Sequence, residues 1–155
     1  MTHVESATKI LDTMLGHLGI AATIEVQDTH DGPCLQIHSN ESKTIIGDDG
    51  DRLDDIQYLI NRILRRQDNN APRIKIDCEH FRTIREDQMI VEIREIAERV
   101  KTTGKPHQMR PLNAYYRRIV HNTLVSDAAI ETHSPDGDSR LKRITIAKKA
   151  TTASE

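Results

Sequence analysis

The chain has 155 residues, 36% of them hydrophobic and 30% charged, with no Trp, one Phe and three Tyr. Against a usual apolar share of ~45–50%, it can bury small aliphatic cores but hardly one large one. The formal charge of −2 hides an asymmetry: residues 1–79 hold 8 Lys+Arg against 14 Asp+Glu, 80–155 hold 14 against 10, and 104–149 alone hold 9 against 4.

An acidic front half and a basic rear half suggest two modules with different partners, the rear one polyanionic. No stretch approaches the ~18 apolar residues of a membrane span, and Met1–Glu5 lacks the charged-then-apolar pattern of a secretory signal. Cys34 and Cys78 stand too far apart for a CxxC pair. A cytoplasmic protein with reduced thiols is the expectation.

Val4, Ala7, Ile10, Leu11, Met14, Leu15 and Leu18 fall at three- and four-residue spacings and predict an amphipathic first helix. Ala22–Val26 and Cys34–His38 read as strands joined by a turn at Asp28–Pro33, hence a hairpin. A short helix over Ser42–Ile46 stops at Gly47-Asp48-Asp49-Gly50. A longer one from Asp51 to about Arg66 buries Leu53, Ile56, Leu59, Ile60, Ile63 and Leu64, and a strand follows at Arg73–Cys78. A helical stretch from about His80 to Thr102 takes its apolar positions from Ile84, Val91, Ile93, Ile96 and Val100. Beyond Thr103–Pro106 come a short strand at His107–Arg110, a helix with Tyr115, Tyr116, Ile119, Val120 and Leu124, a strand at Ala129–Thr132, and a final strand at Lys142–Ile146.

Two constellations carry chemistry. Gly47 and Gly50, three apart between two helices, allow a backbone to approach a ligand closely. The order of two strands, helix, GxxG, helix and strand is the type II KH arrangement, whose loop clamps single-stranded nucleic acid. An ordinary helix-turn-helix loop is the bland alternative. In the second constellation, Arg117 and His121 are one helical turn apart on one face. A guanidinium can fork onto a phosphate, and an imidazole can donate to phosphate or stack on a base. A solvated helix face is the competing explanation. Either Tyr115 or Tyr116 could stack a base, with core packing as the alternative use.

Thr44–Leu64 (TIIGDDGDRLDDIQYLINRIL) resembles the KH segment of the bacterial Jag/KhpB family, also called EloR, and Gly104–Ile146 resembles its C-terminal domain. That domain is named R-3-H for its Arg-x-x-x-His motif; Arg110–His121 is similar to the signature helix and Ser134–Arg143 to the basic hairpin. The resemblance implies an α+β fold with a type II KH domain over 1–79 (a small sheet with helices on one face) and a small α/β R-3-H domain over 104–149; the helical pattern over 80–103 reads as a connecting helix, and the small, polar residues 150–155 as a disordered tail. The separate N-terminal domain of longer family members is expected to be absent. The resemblance further implies a non-catalytic, bacterial cytoplasmic protein that binds single-stranded nucleic acid, chiefly RNA with ssDNA also open. It links such a protein to post-transcriptional regulation and cell elongation, with a homodimer or a smaller KH protein as a further partner.

Carried over by position, the KH loop is Gly47, Asp48, Asp49 and Gly50, and the named pair of the second motif is Arg117 and His121. Arg110, Arg140, Lys142 and Arg143 complete the expected cationic contact set. The loop departs from its pattern, because Asp48 and Asp49 stand where KH domains often carry basic residues. A carboxylate ~4 Å from a phosphate opposes binding by roughly 1 kcal/mol in bulk water and more near a protein surface. RNA affinity is therefore expected chiefly in the rear module, with the front one a scaffold or dimerisation unit. The alternative for the whole chain is an interaction scaffold with incidental RNA binding. The eight histidines show no HxxxH or HExxH spacing, Gly47–Gly50 lacks the Lys-Ser/Thr of a P-loop, and no nucleophile–base pair is legible. Neither a metal nor a cofactor is expected.

Overall fold

The computed structural model describes residues 1–150; positions 151–155 of the expected tail lie outside the described residues. The chain divides into two units, Met1–Ile84 and the residues from Arg85 onward.

The first unit opens with helix α1 (His3–His17), started by a reciprocal cap: the Glu5 N–H donates to Thr2 Oγ1 and the Thr2 N–H to Glu5 Oε2. Strands β1 (Thr23–Thr29) and β2 (Gly32–His38) form an antiparallel hairpin in register from Thr23 opposite His38 to Thr29 opposite Gly32. Helix α2 (Ser42–Ile46), a single 3-10 turn at Asp48–Gly50 and helix α3 (Asp51–Gln67) then cross over to β3 (Lys75–Cys78), which runs parallel to β2. The sheet order is β1-β2-β3. Alternation along the strands turns Leu35, Ile37, Ile76 and Cys78 into one core with Leu11, Leu15, Ile45, Leu53, Ile60 and Leu64.

Gln36 and Asp77 are buried polar residues, and each is satisfied. Gln36 Nε2 donates to Asp77 Oδ2 at 3.1 Å, Gln36 Oε1 accepts the His80 N–H, and Asp77 Oδ1 accepts the N–H groups of Cys78 and Arg82. These bonds fix the start of helix α4 (Phe81–Thr103). The third strand is shorter than the pattern from Arg73 predicts; just before it, Asn61 on α3 takes both backbone groups of Ile74, its Oδ1 accepting the N–H and its Nδ2 donating to the carbonyl, each at 2.8 Å. Gln57 Oε1 accepts the Ile76 N–H in the same way. The outer edge of β3 is thus closed by side chains.

Most of α4 belongs to the second unit. Met89, Ile93, Ile96, Ala97 and Val100 form its buried stripe and pack with Met109, Leu112, Val120, Leu124, Ile130, Ile144 and Ile146. The expected apolar positions Ile84 and Val91 are instead exposed. Met89 and Ala97 take their place, because the i, i+4, i+7, i+8, i+11 stripe from Met89 is the one that meets the core. The helix read as a connector over 80–103 therefore supplies a wall of the second core. Strand β4 (His107–Gln108), helix α5 (Ala114–Leu124), β5 (Ile130–His133) and β6 (Thr145–Lys148) complete the unit in an antiparallel sheet of order β4-β6-β5. The final strand lies further on than the expected Lys142–Ile146. Lys142 makes only an isolated bridge with Leu112, and the continuous ladder starts at Thr145.

In the first unit, His38 Nε2 lies 2.9 Å from Glu25 and its Nδ1 3.4 Å from Glu79. The bond to Glu25, then that to Glu79, raises the imidazole above its usual value. Glu25 is lowered first by His38, and Glu79 first by the Ser39 N–H and then by His38. The imidazolium contribution is complete below the unfolded histidine value of ~6.5 and is lost as pH rises through the raised folded value. The carboxylate contributions are lost as pH falls through their lowered values. Melting temperature is therefore expected to be highest in mildly acidic buffer. His38→Gln should remove the decline on the alkaline side, and a wild-type curve no steeper there than the variant's would contradict the pairing.

Candidate nucleic-acid interface

Helix α5 begins at Asn113, whose Oδ1 accepts the Tyr116 N–H at 3.1 Å, an ordinary N-cap. Val120 and Leu124 face the core, which places Arg117 and His121 on the flank. Arg117 is half-buried, and its guanidinium donates to the Leu112 carbonyl. The same carbonyl accepts the Lys142 N–H at 3.0 Å, while the Leu112 N–H donates to Lys142 at 2.9 Å. His121 is exposed, with Nδ1 2.9 Å from Thr132 Oγ1 on β5. One member of the pair is thus tied to the 112–142 bridge and the other to the sheet. With Nδ1 engaged, the imidazole offers Nε2 to a ligand, and a guanidinium donating to one carbonyl keeps further N–H donors.

The remaining expected residues separate. Arg110 Nη1 lies 3.0 and 3.1 Å from the two oxygens of Glu92, so its charge is largely offset at home. Arg140 and Arg143 are exposed and Lys142 is half-buried, and none of the three makes an ion pair among the described residues. They lie on the segment that leads to the Leu112 bridge, beside the anchor of Arg117. Two residues next to the pair were missed from sequence. Arg118 is exposed next to Arg117, and its position in the motif was the available signal. Thr132 orients His121 from another element, and no spacing announces it.

In the first unit, Gly47 (φ 73°), Asp49 (φ 53°) and Gly50 (φ 83°) give the GxxG loop its turn. Gly50 is buried, and a Cβ there would lie 2.7 Å from Phe81 Cε1. Asp48 and Asp49 are exposed. Arg52, which follows the loop in sequence, donates from Nη1 to the Thr44 carbonyl at 2.9 Å. Arg82 pairs with Asp54 at 2.7 Å. Asp48 and Asp49 thus set two carboxylates on the loop surface.

Among the described residues no group of three or more His, Cys, Asp or Glu is placed to hold a metal ion. No helix among them is long and apolar enough to cross a membrane.

Residues 89–148 match the family model of the R-3-H domain, a segment that begins within α4 where that helix joins the second core. The chain is similar to the RNA-binding protein KhpB of Clostridium symbiosum, 27% identical over 146 residues that cover 94% of this chain and 64% of that one. It is also similar to the RNA-binding protein KhpB of Bacillus subtilis (strain 168), 24% identical over 148 residues that cover 94% and 71%. The chain thus spans less than two thirds of the first relative's length, and what it shares with both includes the α5 helix and the strands around it.

Proposed function

We propose that this chain is a non-catalytic, single-stranded nucleic-acid-binding protein of the bacterial cytoplasm, with RNA as its main ligand and ssDNA as a lesser one. Its affinity resides chiefly in the second unit. The observation that carries this reading is the flank of α5, where Arg117 and His121 are each anchored by one bond beside Arg140, Lys142 and Arg143, which make no ion pair among the described residues. Guanidinium and ammonium groups neutralise phosphates, and the imidazole Nε2 donates to a phosphate or a base. The R-3-H match over the same residues and the names of the two relatives point the same way.

The first unit is proposed as a type II KH fold. Its support is the order α1-β1-β2-α2-α3-β3 with GxxG between α2 and α3 and a parallel β2–β3 pair. With Asp48 and Asp49 exposed, this unit binds RNA weakly or not at all through the loop. A role in post-transcriptional control linked to cell elongation rests on the family resemblance alone.

A second reading, an interaction or dimerisation scaffold, is favoured by the solvent face of α3. Tyr58 is 66% exposed, and Leu59 and Ile63, which the sequence pattern placed in the core, are exposed beside it. Asp51 and Asp55 precede them, and Arg62, Arg65 and Arg66 follow. Two copies laid antiparallel about Tyr58 would set each acidic end against the other's basic end. Binding of a labelled single-stranded RNA by the full chain, run beside size-exclusion chromatography of the wild type and an Arg62→Glu/Arg65→Glu variant, separates the readings. RNA binding by both proteins supports the first reading. A dimer that the variant loses, with no RNA bound, supports the second.

A further inference from the structure

Helix α5 opens with two adjacent tyrosines that the fold treats differently. Tyr116 packs against the second core, whereas Tyr115 remains 48% exposed. The Tyr115 ring is nevertheless held. Its hydroxyl donates to Glu86 on α4, and its edge meets the Tyr116 ring at 5.4 Å between centroids and 82° between planes. The Tyr116 ring is itself packed under the Arg85 guanidinium carbon at 5.0 Å. Arg118, one turn beyond Tyr115, is exposed.

From this placement we infer that Tyr115 is a base-stacking residue, with Arg118 taking an adjacent phosphate, so that the bound strand crosses the crest of α5 instead of following only the Arg117–His121 flank. The inference rests on the nucleic-acid reading above. A fixed, half-open aromatic ring loses little side-chain freedom on binding. Stacking suits it because every base presents a π-face. The Glu86 carboxylate at the hydroxyl end repels a phosphate, so a base, not the backbone, is what the ring accepts. The competing role is purely structural, with Tyr115 serving only to tie α5 to α4 through Glu86.

The test compares Tyr115→Phe, which keeps the ring and loses the tie, with Tyr115→Leu, which loses both, in the full chain. Affinity for a short, labelled, mixed-sequence single-stranded RNA is read by anisotropy, and thermal unfolding is followed for each protein. Stacking predicts that Phe binds within about twofold of wild type and Leu roughly 5- to 100-fold more weakly. The Leu variant should keep its salt dependence, whereas Arg118→Ala should lower the log–log slope by about one contact's worth. Ultraviolet cross-linking of the wild type, independent of any variant's folding, should join RNA to Tyr115. Equal weakening by Phe and Leu, or a wild-type cross-link absent from Tyr115, overturns the inference. Wild-type affinity in the Leu variant beside a loss in Arg117→Ala/His121→Ala also overturns it while leaving the interface reading intact. Failure of the wild type to bind RNA ends both.

Discussion

Arg117→Ala/His121→Ala in the full chain is expected to weaken single-stranded RNA binding by about a hundredfold. Hydrogen bonds to charged groups contribute about 1.5–3 kcal/mol each, and the two residues share one flank, so their losses need not add fully. The effect has two origins. Arg117 supplies charge and also holds the Leu112 carbonyl that receives the Lys142 N–H. Its removal therefore takes a phosphate ligand away and loosens the segment that carries Arg140, Lys142 and Arg143. Arg117→Lys separates these contributions: the charge stays, the planar fork is lost, and binding should fall between wild type and the double variant. His121 acts through Nε2 while Thr132 occupies Nδ1. Dissociation constants by anisotropy, with melting curves to confirm folding, check the result. An unchanged constant in the double variant would count decisively against the interface.

The second large effect is on stability. Gly50→Ala should destabilise the first unit by about 2–5 kcal/mol, the sum of a left-handed backbone penalty of roughly 1–2 kcal/mol and an overpacking term of roughly 1–3 kcal/mol. The φ of 83° and the 2.7 Å approach to Phe81 Cε1 are the two causes. Phe81→Leu in the same background should recover part of the loss by making room. Because the loop carries Asp48 and Asp49 on its surface, RNA affinity below the melting range should change by less than about twofold. Urea unfolding and RNA titration of the same preparation measure both quantities. Full stability would refute the packing account, and a large fall in affinity would restore the loop to the binding surface.

The elements themselves were legible because each rests on a local period. The 3.6-residue spacing of Leu53, Ile56, Ile60 and Leu64 defines α3, and the two glycines stop α2 ahead of it. What failed was long-range. Ile84 and Val91 look as apolar as Met89 and Ala97, and only the position of the second core decides which stripe is buried. The outer edge ahead of β3 is closed by an amide 13 residues away, which takes the Ile74 backbone. That Arg117 and His121 share a helix face was readable from one helical turn, but their anchors were not: Thr132 arrives from β5, and Leu112 is bridged by Lys142. Arg110 illustrates the limit of charge counting, since Glu92, 18 residues earlier, already holds it.

The measurement that bears most directly on the central claim is the salt dependence of single-stranded RNA affinity for the full chain. If Arg117, Arg140, Lys142 and Arg143 neutralise three or four phosphates, log affinity falls linearly with log salt with a slope of about −2 to −3, as counterion release from a single strand requires. No binding at low salt, or an affinity that does not change with salt, would contradict it.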